Sequence, residues 1–289
     1  MESPVKIAIF SPASLPAPEE YKKALEFFKF KINEIEIQSF VNFNSKTPYE
    51  KAKEVALFLT EPKWDYLWAV RGGFGCLKLL PYLDEFLSEN KNLLHKPCLI
   101  GFSDLTALHV YLYKRFKKSG IHAPNVVSLN KLNPKAWGEL LDLILRKKTK
   151  LVLEGKGWVE GVAEGVVLGG NLATLAGLCG TPYFPLMEEP FILFIEEINE
   201  KSYRIERFLL QLIFTVSREN LKGLALGDLG ITDIKPILQT LSLYLKKDIP
   251  IGYGFSVGHI SDNFPFILGK KGRLKVFKDK AIFSQELKL

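Results

Sequence analysis

The sequence predicts an α/β protein made of an N-terminal doubly wound parallel sheet followed by a mixed α/β domain rich in β-strands. Three observations carry that expectation. Through residue 145, short apolar runs alternate with amphipathic segments of helical length, the rhythm of parallel βα units. From the charge run RKKTK (146–150) onward, the segments become shorter, richer in glycine and more strand-like. Hydrophobic residues make up 47% of the chain and charged ones 25%, enough apolar surface for a full core and incompatible with wholesale disorder.

Taken in order, VKIAIFSP (5–12) reads as a buried strand ended by Ser and Pro, and residues 19–30 carry helical spacing. EIEIQSF (34–40) alternates as a strand does, and residues 47–59 open on Thr-Pro and continue with the helical period. DYLWAV (65–70) is an apolar strand that runs into the glycine-rich RGGFG, and a helix is expected over 76–87. PCLIG is the next strand, with a helix over about 104–117. Such an order implies a flavodoxin- or Rossmann-like sheet whose ligands meet the carboxyl ends of the strands, at RGGFG and GFSD. The stretch 117–134 reads as a long connection. The sequence thus divides into domains at 1–145 and 146–289. In the second, LVLEGKG, EGVAEGVVLGGN and FILFIEEI read as strands and residues 203–214 and 235–245 as helices.

Composition excludes several functions. With 39 basic and 32 acidic side chains the net charge is +7, but it is dispersed and never interleaved with aromatics, so no nucleic-acid partner is expected. No apolar stretch is long enough to span a bilayer and no signal-peptide core develops before Pro12, which leads to a cytosolic expectation with no membrane partner. Three widely spaced cysteines, Cys76, Cys98 and Cys179, offer neither a disulfide framework nor a CxxC pair. There is no HExxH, no phosphate loop and no GxGxxG, so neither metal nor cofactor is expected.

What remains is nucleophilic chemistry. In GFSD, Ser103 lies where an apolar strand turns sharply into a helix, the geometry of a nucleophile elbow, although Ser-Asp before a helix is also an ordinary N-cap. RGGFG can present backbone N–H groups to a ligand, or can simply be a tight turn. A serine nucleophile needs a general base, and His259, in the glycine-rich GYGFSVGHISDN, is the best placed of four histidines. His109 falls within a helix, where it packs or caps, while His95 and His122 fall in expected loops and are expected at the surface. Glu196 and Glu197 end the apolar run FILFI. Alternation points them to opposite faces, so one can orient a histidine while the other meets solvent or a helix N-terminus; periodicity does not choose.

RGGFGCLKLLPYLD, GFSDLTALH, EGVVLGGNLATLAGLCGTPYFP, LFIEEINEKSYRIERFLLQL and GHISDNFPFILG, in this order, resemble the successive blocks of the LD-carboxypeptidases, the murein tetrapeptide carboxypeptidases and microcin-immunity peptidases. The resemblance spans most of the chain. It implies a serine carboxypeptidase with a triad of Ser103, Glu196 and His259, an oxyanion hole from the backbone N–H groups of Gly73 and Asp104, and a homodimeric state. It also implies a small peptide substrate, a cytosolic muropeptide ending in D-alanine. Phe74 and Phe102 stand where the family often has tyrosine, and Cys76 where it often has serine or alanine. The microcin-immunity branch, which hydrolyses peptidyl or aminoacyl nucleotides, resembles the same blocks; the compact run 186–191 carries no added substrate loop and favours the muropeptide branch. The rival of another class is a non-enzymatic α/β ligand-binding module in which Ser103 only caps a helix.

Overall fold

The computed structural model of the chain describes residues 3–29, 34–44, 46–88, 97–216 and 219–287; the expectation for His95 lies outside them. The N-terminal runs form a parallel sheet as their alternation with helices requires. Across it lie β2 (Ile35–Ser39), β1 (Val5–Phe10), β3 (Tyr66–Ala69), β4 (Cys98–Gly101) and β5 (Gly120–His122), all parallel. The outermost strand, β11 (Phe266–Leu268), comes from the far end of the chain and pairs antiparallel with β5. Helices α1 (Pro18–Lys29), α2 (Pro48–Thr60), α3 (Cys76–Leu87), α4 (Thr106–Phe116) and α5 (Pro134–Ile144) cover both faces. Strand alternation sorts the core accordingly: Phe10, Leu67 and Leu99 pack with Leu79, Leu83 and Leu108 on one side, and Ile9, Trp68 and Ile100 with Trp137 and Leu140 on the other.

The Thr-Pro start of α2 is a capping box. Thr47 Oγ1 accepts from the Glu50 N–H at 3.3 Å, and Glu50 Oε2 accepts from the Thr47 N–H at 2.7 Å.

The later strands close into a barrel. They are β6 (Lys150–Val159), β7 (Gly161–Asn171), β8 (Phe191–Glu196), β9 (Leu221–Leu226), β10 (Ile251–Tyr253), β12 (Lys271–Val276) and β13 (Ala281–Glu286), in the order β10-β6-β13-β12-β7-β8-β9. Strands β7 to β10 run parallel, and the remaining pairings are antiparallel. Its core holds Phe194, Phe255 and Phe283, with Phe266 of β11 packed among them, so one short strand belongs to both layers. Helices α6 (Leu172–Leu178), α7 (Ser202–Thr215) and α8 (Lys235–Tyr244) complete this half. Among the described residues no helix is long and apolar enough to cross a membrane.

One expectation is corrected. The stretch 117–134 is not a linker but holds β5 and a 3₁₀ turn (Val126–Lys131), with Ile121, Val126 and Leu129 buried. A three-residue strand shows no alternation to read, and its burial comes from neighbours on either side.

Candidate active site

Ser103 follows β4 directly and opens a 3₁₀ turn (Ser103–Leu105) that leads into α4. Its φ is 64°, the left-handed region that side chains other than glycine avoid, so the turn is strained in the way a nucleophile elbow is. No side chain caps either the turn or α4, so the hydroxyl is not a helix cap. Asn125 braces the preceding peptide from both sides: its Oδ1 accepts from Phe102 N–H at 3.3 Å and its Nδ2 donates to Phe102 O at 3.5 Å.

The glycine loop lies over the serine. A Cβ on Gly72 would stand 2.9 Å from Ser103 Cβ, so only glycine permits that approach, and Gly73 has a φ of 96°. Ser14 fixes the loop from below, donating its N–H to Gly72 O at 3.1 Å and accepting from the Phe74 N–H at 3.1 Å. Asp104, buried, accepts from the Cys76 N–H at 2.8 Å and so caps α3 and ties the loop to the elbow. Burial raises the Asp104 carboxyl above its ordinary value, with the Cys76 hydrogen bond opposing.

Glu196 ends β8, in register with Asn171 at the end of β7. The Asn171 N–H donates to Thr106 Oγ1 at 2.9 Å, which anchors the carboxyl edge of the barrel to the first residue of α4. His259 lies between β10 and β11. Its loop is pinned where Asn263 Oδ1 accepts from Gly258 N–H at 3.1 Å. The His259 Nε2 stands 4.0 Å from Glu196 Oε2, and its ring packs on Phe102, the neighbour of Ser103, with centroids 4.4 Å apart. The structure thus sets His259 and Glu196 face to face and, through Phe102, brings the imidazole to the residue next to Ser103.

Electrostatics there follow from burial. Glu196 is 1% exposed, and desolvation pushes its carboxyl up to about 7, with the charge of His259 opposing. Burial also holds His259 below its ordinary value, with Glu196 opposing, so its imidazole is neutral near pH 7 and able to accept a proton.

Glu197, on the other face of the strand, meets a helix N-terminus. It accepts from Asn171 Nδ2 at 3.0 Å, Ala173 N–H at 2.7 Å and Ile198 N–H at 2.7 Å, holding the start of α6. His109 packs beneath the elbow, its Nε2 3.0 Å from Gly101 O. His122 overturns its expectation: it is fully buried on β5, in register between Gly101 and Phe266. The sequence also left Asn125 and Ser14 unremarked, since a lone polar residue beside proline or in a loop signals nothing until its backbone partners are known.

A cavity of about 910 Å³, lined by Tyr66, Cys98, Ile121, Arg146, Lys271 and Arg273 among others, lies at the opposite, amino ends of the strands and includes none of the three expected residues. Among the described residues no three His, Cys, Asp or Glu side chains group as metal ligands.

Residues 7–123 match the LD-carboxypeptidase N-terminal domain and residues 164–274 the LD-carboxypeptidase C-terminal domain. The chain belongs to the LD-carboxypeptidase family. It is 24% identical to the murein tetrapeptide carboxypeptidase of Pseudomonas aeruginosa, over 93% of this chain and 93% of that one. It is also 24% identical to the microcin C7 self-immunity protein MccF of Escherichia coli, over 90% of this chain and 87% of that one. A crystal structure of muramoyltetrapeptide carboxypeptidase from Oxalobacter formigenes superposes with a TM-score of 0.85 at 24% identity, covering 98% of this chain and all of that one, and shares its fold. The family is one of peptidases.

Within this family member, Cys76 adjoins the glycine loop but is buried, and burial raises its thiol well above the ordinary value, which removes the thiolate a cysteine nucleophile needs. Mild thiol alkylation is therefore expected to leave turnover intact, and Cys76→Ser to keep activity within a few-fold of the parent. Loss of all turnover in Cys76→Ser would point to the thiol instead.

Proposed function

We propose that the chain is a serine LD-carboxypeptidase that releases terminal D-alanine from cytosolic murein tetrapeptides. The observation that carries this reading is the strained, uncapped Ser103, whose neighbour Phe102 packs on an imidazole that faces a buried carboxyl group. Ser103 Oγ attacks the carbonyl carbon between the L-configured centre and D-alanine while His259 takes its proton. With Nε2 turned to Glu196, Nδ1 is the nitrogen left for that proton. The tetrahedral oxyanion is held by the N–H groups of Gly73 and of Asp104, the latter in the first turn where helix N–H groups lack internal partners. Collapse breaks the C–N bond, and His259 returns the proton to the departing amine of D-alanine. Water, deprotonated by His259, then hydrolyses the acyl-enzyme to free the tripeptide carboxylate and restore Ser103.

The second reading, hydrolysis of peptidyl or aminoacyl nucleotides, is favoured by the likeness to the microcin self-immunity protein. The direct connection from α6 to β8 (179–190), with no inserted element, favours the muropeptide. Incubation of the pure protein with a disaccharide tetrapeptide is expected to release D-alanine, and incubation with an aminoacyl sulfamoyl nucleotide to give far slower turnover. The opposite ranking would transfer the assignment to the second reading, and no turnover of either would favour a non-enzymatic binding module.

A further inference from the structure

We propose that His122 is a positioning residue for the triad, its Nε2–H holding Oε1 of Glu196 so that Oε2 is presented to His259. This rests on the serine-peptidase reading. His122 Nε2 stands 4.0 Å from Glu196 Oε1, the mirror of the 4.0 Å between His259 Nε2 and Oε2, so the carboxylate lies between two imidazoles. Both ring nitrogens of His122 and both oxygens of Glu196 are buried without a hydrogen-bond partner among the described residues. Buried polar atoms are seldom left so, and here His122 and Glu196 stand within reach of one another, with Asn171 on the carboxyl group as well. The 4.0 Å spacing is about 1 Å beyond a hydrogen bond, a gap that catalytic pairs close when substrate binds.

The ring itself is fixed. It stacks on Phe266 at 4.6 Å and 22° and meets Phe102 edge-on at 5.7 Å, so two aromatic rings hold its plane. A phenylalanine would fill that space without leaving two nitrogens unpaired, which makes an imidazole here a choice for its N–H. Burial takes His122 down to about 3, so it works as a neutral donor and does not add a second cation beside His259. The other titratable groups that act on the cluster are Asp228, Glu197 from the opposite face of β8, and His109, which is likewise held down to about 3 by burial and sits on Gly101 O.

The test combines a measurement without substrate and one with it. Nitrogen-15 NMR of histidine-labelled protein is expected to show His122 as the neutral Nε2–H tautomer. His122→Phe keeps the stack and deletes the donor; its kcat is expected to fall roughly 10- to 100-fold, as loss of a partner that orients a reacting group does in metal sites. KM should change less than about twofold, and the acid limb of kcat/KM should move to higher pH, because the carboxylate has lost a donor to its charged form. His122→Gln, whose amide nitrogen reaches the place of Nε2, is expected to restore most of kcat. An Nδ1–H tautomer, or a folded His122→Phe with parental kcat and an unmoved acid limb, overturns the proposal. If His122→Phe fails to fold, the tautomer and His122→Gln decide. A parent chain that releases no D-alanine overturns the substrate assignment instead, and the tautomer still decides the role of His122.

Discussion

Ser103→Ala is expected to lower D-alanine release by at least about 10⁴-fold, since removal of a serine nucleophile leaves only binding and the oxyanion donors. Stability should barely change. Because the hydroxyl caps nothing, the loss of roughly 1 kcal/mol that attends removal of a capping serine does not apply. Ser103→Gly separates strain from chemistry: at a φ of 64° glycine relieves a cost on the order of 1 kcal/mol, so this variant is expected to be equally inactive and measurably more stable than Ser103→Ala. Thermal denaturation beside a D-alanine assay checks both. Residual release above about 1% in either variant would remove Ser103 from the role of nucleophile.

The elbow was legible because each of its signals is local. An apolar strand, a glycine and a serine before a helix occupy eight consecutive residues (98–105), and the periods of β4 and α4 bracket them. The glycine loop was legible for the same reason. His122 was not, because what buries it is a strand brought from residues 266–268, and nothing within GIH betrays a partner so distant in sequence. The domain that carries His259 thus also supplies the edge of the sheet that carries Ser103, a sharing that periodicity cannot reveal. The barrel was visible only as strands: its closure runs through three-residue β10, which pairs with β6 on one side and β9 on the other. As to the acids, alternation assigned Glu196 and Glu197 to opposite faces and family resemblance chose Glu196; the three-dimensional packing shows what each face meets, two imidazoles for Glu196 and the start of α6 for Glu197.

That division of labour predicts opposite behaviour for two adjacent residues. In Glu196→Gln the side chain keeps its shape and loses the charge that stabilises the His259 cation, so turnover is expected to fall by about 10³- to 10⁴-fold. Its stability should rise. Burial lifts the folded-state carboxyl from 4.5 to about 7, so the fold binds this proton more tightly than the unfolded chain does. The stabilisation is fully present below about pH 4.5 and is lost as pH rises through 7. Above pH 7 the parent carries the whole penalty, up to about 3 kcal/mol at 1.36 kcal/mol per unit, and the neutral glutamine carries none. The variant should therefore be more stable than the parent at pH 8 and indistinguishable from it near pH 4.5. The same titration gives the parent an acid limb in kcat/KM that is half-maximal near pH 7, since catalysis needs the carboxylate charged. Glu197→Gln should do the reverse. It sets an amide N–H₂ against one of three N–H donors, those of Asn171, Ala173 and Ile198, and costs about 1 to 3 kcal/mol of stability while turnover stays within a few-fold. Urea denaturation at pH 8 and 4.5 together with turnover of both variants tests the pair; a more active Glu196→Gln than Glu197→Gln would mean that the catalytic acid is on the other face of β8.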